Sequence, residues 1–160
     1  PSWSKDRSIG RRTYNARTET VAEKPSYRTA WRQRQFCLVP VERFFEPCWE
    51  TGKAVPWSIH RQDGEPFTVA GIWDRWNDRA TGEIVVSFSM LTINADGHPI
   101  MGRFHRPGDE RRSLVVVPRR AWHDWLTATP DTARSMLTEM PVDQFTSEVT
   151  GAAKPQLGLL

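Results

Sequence analysis

The segment EIVVSFSMLTINA (residues 83–95) is the longest strand-like stretch of the chain, and it decides the fold class. Its middle part, VSFSM (86–90), alternates apolar residues with serine, which is the period of a β-strand with one buried face. The phase of this alternation changes at Leu91 and Ile93, which indicates a bulge or burial on both faces. The segment therefore predicts a long strand inside a sheet.

Shorter β-type runs surround this segment and are separated by turn signals. Asp63-Gly64 predicts a hairpin between SIHRQ and PFTVAGIW, because both turn residues tolerate positive φ. Thr81-Gly82 leads into the long segment in the same way. The remaining runs are FCLVP (36–40), RFFEPCW (43–49), AVPWSIH (54–60) and SLVVV (113–117).

Helical spacing is found before and after the strand region. The stretch that follows Pro25 places aromatic and apolar residues at positions 27, 30 and 31. RRAWHDWL (119–126) has one apolar helical face, and a second short helix is predicted over 131–138. Strands joined by hairpins and followed by helices predict an α+β fold, with a mostly antiparallel (mixed) β-sheet or open barrel and flanking helices.

The length of 160 residues suits one domain with a single core. We assign the domain to residues 1–145 and expect residues 146–160, with Gly151, Pro155 and Gly158, to form a loosely ordered tail. The sequence shows no bilayer-spanning apolar run, no signal-peptide pattern and only two cysteines. These features predict a cytoplasmic protein without a membrane partner.

The basic residues of the chain are nearly all arginine. Of 22 Lys and Arg residues, only Lys5, Lys24, Lys53 and Lys154 are lysine. Arginine suits bidentate phosphate contacts, although a GC-rich coding sequence would give the same bias. The eight tryptophans are similarly open to two interpretations, stacking on nucleobases or packing in the core.

Common catalytic and cofactor motifs are missing from the sequence. Cys37, Cys48, His98 and His105 lack the close spacing of zinc sites. The GxSxG elbow of serine hydrolases and the phosphate loops GxxxxGK and GxGxxG do not occur. We therefore predict neither a metal nor a cofactor.

Four polar residues stand at strand ends or bends. Asn15 and Arg17 are two apart in an extended segment and project to one face, Glu46 lies between aromatic residues, and His105 precedes a Pro-Gly turn. Singly, each has an ordinary structural interpretation as an ion-pair, turn or solvated residue. Together they offer a desolvated carboxyl and an imidazole for proton transfer, and a guanidinium and a carboxamide to hold a phosphate and a reacting group.

The same residues lie in blocks that resemble, in order, the SOS response-associated peptidase family, whose members act on abasic sites in single-stranded DNA. The resemblance runs from Pro1 to about Leu126. The blocks are PSWSKD (1–6), NARTETVAEKPSYRTAW (15–31), FCLVPVERFFEP (36–47), GEPFTVAGIW (64–73) and MGRFHRPGDERRSLVVVP (101–118).

The resemblance implies a reaction and four catalytic residues. Family members remove their initiator methionine, and the exposed cysteine closes a thiazolidine with the ring-opened abasic site, giving a DNA–protein crosslink. By motif position, Asn15 matches the residue that orients the cysteine amine and the opened sugar, and Arg17 the arginine that grips the phosphate. Glu46 matches the acid–base glutamate, and His105 the histidine that assists proton transfer and crosslink reversal.

The sequence departs from the family pattern in three places. It lacks the Met-Cys-Gly start, so we expect either an N-terminally incomplete domain or an inactive single-stranded DNA-binding remnant. Pro47 follows Glu46 where many members have a tryptophan, and Trp49 is the candidate substitute. The His-Asp-Arg-Met-Pro motif is replaced by HRPGD (105–109).

The resemblance implies single-stranded DNA containing abasic sites as the partner of a monomer that associates with the nucleoid when bound. We expect the DNA-binding residues to be Trp3, Arg11, Arg17, Trp49, Arg103 and Arg106. A wider basic groove would add Arg12, Arg32, Arg34, Arg111 and Arg112.

Overall fold

Two β-sheets with short helices form the protein in a computed structural model that describes residues 1–150. The helices are α1 (Gly10–Thr13), α2 (Arg28–Arg32), α3 (Trp122–Thr127) and α4 (Pro130–Ser135). The strands are β1 (Asn15–Arg17), β2 (Phe36–Val41), β3 (Arg43–Cys48), β4 (Val55–Arg61), β5 (Phe67–Asn77), β6 (Ile84–Asn94), β7 (Arg112–Leu114) and β8 (Phe145–Val149).

The five-stranded sheet has the order β1-β6-β5-β2, and β7 also pairs with β6. The three-stranded sheet has the order β3-β4-β8. Only the pairing of β1 with β6 is parallel among these strands, and the remaining pairs are antiparallel. The expected α+β class with a mostly antiparallel, mixed and open sheet arrangement is thus confirmed.

The long segment 83–95 forms β6 at the centre of the larger sheet. Leu91 and Thr92, consecutive in β6, are both buried, which confirms burial on both faces at this point. In the first half of β6, Val86 and Phe88 are 64% and 55% exposed. Alternation sets which residues share a face but not which face is buried, and the face that carries Val86 and Phe88 is largely exposed.

The Asp63-Gly64 turn forms, with Gly64 at φ +76°, but the predicted hairpin does not. β4 pairs with β3 and β8, whereas β5 pairs with β2 and β6, so the turn carries the chain from one sheet to the other. Both edges of β4 are therefore occupied by other strands. That occupancy depends on the whole fold and is not visible in the turn residues.

The run SLVVV (113–117) forms a shorter strand than predicted, because its second half lies between two strands. Val115 accepts a hydrogen bond from Ala70 N (2.8 Å) and donates one to Leu91 O (3.0 Å). Val117 N donates to Thr68 O at 2.9 Å. The run thus closes the gap where β5 and β6 separate.

Two apolar clusters stabilise the two faces of the larger sheet. One lies under the helices and contains Trp31 and Trp125, which are 2% and 0% exposed. The other joins the two sheets through residues such as Ile59, Val69 and Phe104. Core packing is thus the role of these two tryptophans.

The helices predicted after Pro25 and over 119–126 and 131–138 are present but shorter.

The loosely ordered tail that we expected from residue 146 onwards does not begin at that residue. Phe145 is 2% exposed, and 145–149 pair with β4 as a full strand. The rest of the predicted tail, 151–160, lies outside the described residues. None of the helices in residues 1–150 has the length and hydropathy needed to cross a bilayer.

Candidate functional site

Glu46 lies on β3 with its side chain 26% exposed. The burial of β3 alternates, so that Glu46 shares the more buried side of the strand with Phe44 and Cys48. Removing a carboxylate from water disfavours its charged form. Burial accordingly raises the pKa of Glu46 from 4.5 to about 7. The expectation of a desolvated carboxyl between aromatic residues is confirmed.

His105 approaches Glu46 from the loop before β7. Phe104 bridges to Cys48, and His105 N donates to Pro47 O at 3.0 Å, so the backbone of the loop is attached to β3. As a result His105 Nε2 lies 3.8 Å from Glu46 Oε2. His105 has a left-handed φ of +71°, a costly conformation for a residue other than glycine that is typical of functional sites.

The environment of His105 favours the neutral imidazole. Burial, and next the positive charge of Arg111, lower its pKa from 6.5. Its Nδ1 atom is buried and has no hydrogen-bond partner within residues 1–150. A neutral imidazole beside a carboxyl that titrates near neutrality is suited to passing a proton.

Asn15 and Arg17 occupy the two ends of β1. Both are exposed while Ala16 between them is fully buried, so the two side chains project from the same face, as expected. Tyr27 Oη donates to Asn15 O at 2.8 Å, and the strand pairs with β6 from Met90 to Thr92. These contacts fix the backbone from which both side chains project.

Arg17 contacts the loop that carries His105. Its Nη1 lies 2.6 Å from Glu110 Oε2. Residues 105–112 thus link the two halves of the predicted site, with His105 against Glu46 and Glu110 against Arg17. No sequence pattern pointed to Glu110, because its contact with Arg17 depends on the folding of this loop against β1.

Two arginines of the predicted groove have other roles. Arg112 has a side chain that is only 11% exposed and forms ion pairs with Glu19 and Glu110, at 2.8 and 2.7 Å. Arg34 donates to the carbonyl oxygens of Thr127 and Ala128. Protein acceptors thus take up both terminal nitrogens of Arg112 and two of the three guanidinium nitrogens of Arg34. Their assignment to a phosphate-binding groove stays a prediction.

Two arginine–tryptophan stacks lie on the strands and loop that hold Glu46 and His105. The guanidinium of Arg106 is 4.9 Å from the Trp49 ring, and that of Arg103 is 4.6 Å from the Trp57 ring. Arg103 also binds Glu50 through two nitrogens, at 2.8 and 3.1 Å. Trp57, which the sequence interpretation missed, is the register partner of Glu46 across the β3–β4 pair.

Trp3 and Arg11 belong to an N-terminal segment that packs along the β5–β6 ribbon. Trp3 is 55% exposed and donates through Nε1 to Pro25 O at 3.0 Å. Ser2 N donates to Asp74 Oδ2, and Trp76 Nε1 to Ser4 O, each at 2.7 Å. Arg11 is exposed on α1. Their assignment to DNA binding stays a prediction.

The two cysteines and His98 are structural in character. Burial raises the pKa of the Cys37 thiol to about 11, and Cys48 is 4% exposed. His98 Nδ1 accepts from two backbone N–H groups, so Nε2 carries the proton and donates to Met140 O at 2.7 Å. No group of three or more His, Cys, Asp or Glu in residues 1–150 is arranged to hold a metal ion.

Residues 1–152 match the family described as SOS response associated peptidase (SRAP). Among curated proteins, the chain is similar to the abasic site processing protein YoqW of Bacillus subtilis (strain 168), with 28% identity over 151 residues. This alignment covers 91% of the chain and 62% of YoqW, so the chain spans about three fifths of that relative's length.

Solved structures show the same fold. A crystal structure of a Bordetella bronchiseptica protein matches with a TM-score of 0.81 and 41% identity, covering 84% of this chain and 64% of that one. A crystal structure of a Bacteroides thetaiotaomicron protein matches with a TM-score of 0.79 and 27% identity, covering 93% and 65%. On the family match over residues 1–152, this chain belongs to the SOS response associated peptidase (SRAP) family.

Proposed function

We propose that this chain binds single-stranded DNA at abasic sites and performs the acid–base steps of abasic-site processing. The observation that carries the proposal is the Glu46–His105 pair, in which a carboxyl with a pKa of about 7 lies 3.8 Å from an imidazole. The similar Bacillus subtilis protein YoqW is named an abasic site processing protein, which supports the choice of substrate.

Arg17 is the phosphate-binding residue in this proposal. Its side chain is 60% exposed and uses one terminal nitrogen for Glu110, which leaves further N–H groups for a phosphodiester. Asn15, on the same face of β1, offers a carboxamide to the opened sugar. The stacks of Trp49 with Arg106 and of Trp57 with Arg103 offer flat surfaces to the neighbouring bases.

Glu46 acts as the acid and His105 as the base when the sugar ring opens. Protonated Glu46 gives its proton to the ring oxygen as the C1′–O4′ bond breaks, and neutral His105 takes the proton of the C1′ hydroxyl. The products are an aldehyde and a 4′-hydroxyl, with one proton given and one received. A transfer in the reverse direction closes the ring again.

Crosslinking needs a further group that can attack the aldehyde. An N-terminal cysteine condenses through its amine and thiol, releasing one water as the thiazolidine closes. The 160-residue sequence has cysteine only at positions 37 and 48, and both are buried or half-buried. We therefore assign crosslinking and self-processing to a form of the protein that carries an N-terminal cysteine.

The binding step is tested by fluorescence anisotropy with the 160-residue chain. The probes are two single-stranded oligonucleotides of one sequence, one of which carries a single tetrahydrofuran residue as a stable abasic analogue. We expect tighter binding of the tetrahydrofuran strand, and equal affinity for both strands would refute lesion recognition.

The covalent step is tested with the product of the native reading frame and with true abasic single-stranded DNA. We expect a band that survives denaturing electrophoresis and forms more slowly in Glu46→Gln. Lesion-selective binding without such a band would instead identify a single-stranded DNA-binding protein that has lost the chemistry.

A further inference from the structure

Arg17 projects from the exposed face of β1, where its side chain contacts Glu110. Arg17 Nη1 donates to Glu110 Oε2 at 2.6 Å, and this is the only side-chain hydrogen bond of Arg17 among the described residues. The Arg17 side chain is 60% exposed. A long side chain on a three-residue strand would sample many rotamers without such a partner.

The carboxylate of Glu110 is itself firmly held. Its other oxygen, Oε1, accepts from Arg112 Nη1 at 2.7 Å and from Asn94 Nδ2 at 3.2 Å. The same Asn94 amide donates to Asp96 Oδ2 at 2.9 Å. Both carboxylate oxygens of Glu110 are thus occupied, so its position is set by the loop and β6 together.

Arg112 anchors the carboxylate to the interior. Its side chain is 11% exposed, and its remaining terminal nitrogen bonds to Glu19 Oε2 (2.8 Å) and to Thr92 Oγ1 (3.2 Å). Thr92 is the register partner of Arg17 in the β1–β6 pair. The chain of contacts therefore starts and ends at the same rung of the sheet.

The charges of this cluster balance. Arg17 and Arg112 face Glu19 and Glu110, and the hydrogen bonds from Arg112 and then Asn94 lower the pKa of Glu110. Glu110 is accordingly ionised at neutral pH and binds both guanidinium groups. A single contact from a fixed anion restrains the direction of Arg17 while most of its donors still face solvent.

We propose that Glu110 is a positioning residue, which holds the Arg17 guanidinium in the direction that receives the phosphate of the abasic nucleotide. This inference deepens the proposed function and rests on it. An alternative effect of the same contact would be competition, in which the carboxylate occupies Arg17 and weakens phosphate binding.

The test in the absence of DNA measures the order of the Arg17 side chain in the free 160-residue protein. The readout is the heteronuclear NOE of its Nε–H group, in the wild type and in Glu110→Ala. We expect a rigid signal in the wild type and a clear loss of order in the variant. An unchanged NOE would overturn the proposal, whatever the protein does with DNA.

The second test is a double-mutant cycle of Glu110→Ala and Arg17→Ala, with affinity for tetrahydrofuran single-stranded DNA as the readout. We expect Glu110→Ala to weaken binding about three- to tenfold in the wild type and hardly at all when Arg17 is absent. Equal effects in both backgrounds, or tighter binding by Glu110→Ala, would contradict positioning.

Asp109→Ala is the matched control, since it removes the same charge from the neighbouring position of the loop. Asp109 makes no described side-chain hydrogen bond, and we expect its loss to leave the Arg17 NOE unchanged. If the wild type does not prefer the tetrahydrofuran strand, the proposed function fails. An ordered Arg17 that Glu110→Ala loosens would then show that the contact orients Arg17 without serving that function.

Discussion

His105 Nε2 lies 3.8 Å from Glu46 Oε2, although the two residues belong to distant parts of the sequence. The contact depends on the attachment of the His105 backbone to Pro47 O, directly after Glu46. The distance is longer than a hydrogen bond, and a small side-chain rotation would bring the two atoms close enough to pass a proton directly. Both groups are shifted by burial towards their neutral forms.

Glu46→Gln should change how stability depends on pH. The folded-state pKa of Glu46 is raised from 4.5 to about 7, so its stabilising contribution is complete below pH 4.5 and is lost as the pH rises through 7. Across this window the free energy of unfolding of the wild type should fall relative to Glu46→Gln, by about 3 kcal/mol or less. Urea denaturation at several pH values measures the difference.

The control for this measurement is Glu23→Gln, which removes an exposed carboxylate. Its stability curve should stay parallel to that of the wild type between pH 4.5 and 7. If Glu46→Gln is also parallel to the wild type, the carboxyl is not desolvated and the acid–base role loses its physical basis.

His105→Gly should be more stable than His105→Ala. At φ +71° alanine keeps the steric cost of a left-handed backbone, whereas glycine does not. We expect a difference of about 1 kcal/mol in the free energy of unfolding. Both variants lack the imidazole, so both should slow crosslinking in a form of the protein with an N-terminal cysteine.

The same pair of substitutions at Asp109, which has no positive φ, provides the comparison. There the glycine variant should be the less stable one, because glycine adds backbone freedom to the unfolded chain. Equal stability of the two His105 variants would mean that the loop relaxes and that no strain is held at this position.

Arg17→Glu and Arg112→Ala should have different consequences. Arg17 is exposed and is the proposed phosphate contact, so Arg17→Glu should weaken binding of single-stranded DNA and flatten its salt dependence. Arg112 is nearly buried between Glu19 and Glu110, so Arg112→Ala should lower the free energy of unfolding by about 2 kcal/mol or more.

Anisotropy titrations at several salt concentrations and urea denaturation distinguish the two effects. Arg32→Ala, an exposed arginine of α2, serves as the control for stability and should change it little. Normal DNA binding by Arg17→Glu would show that the phosphate site lies elsewhere.

Local physics made several features predictable from the sequence. Alternation located β6, turn signals delimited the run that forms β3, and the aromatic neighbours of Glu46 predicted its desolvation. The shared face of Asn15 and Arg17 follows directly from the geometry of an extended strand.

The features that sequence interpretation missed depend on contacts between distant segments. Asp63-Gly64 is a good turn, but whether its flanking strands pair depends on which strands already occupy their edges. Likewise, Arg112 differs from the exposed arginines because it is nearly buried in an ion pair with Glu19, which is far from it in the sequence. Such contacts leave no periodic signal in the chain.

Gly71→Ala should destabilise the larger sheet because the space beside Gly71 is occupied. An added Cβ would lie 2.8 Å from Cys37 Sγ and 3.2 Å from both Ser89 O and Val39 Cγ2. We expect a loss of about 1–3 kcal/mol in the free energy of unfolding, measured by urea denaturation. Gly10→Ala, with no atom within 4 Å of the added Cβ, should be neutral or slightly stabilising.

The cost at Gly71 should depend on Cys37, whose sulfur is the nearest atom to the added methyl group. In a Cys37→Ala background the sulfur is gone, so Gly71→Ala should cost less than in the wild type, with the remainder due to Ser89 O and Val39. Strictly additive effects would assign the whole cost to the contacts with Ser89 O and Val39 Cγ2. The half-buried thiol of Cys37 would then be excluded as the group that requires glycine at this position.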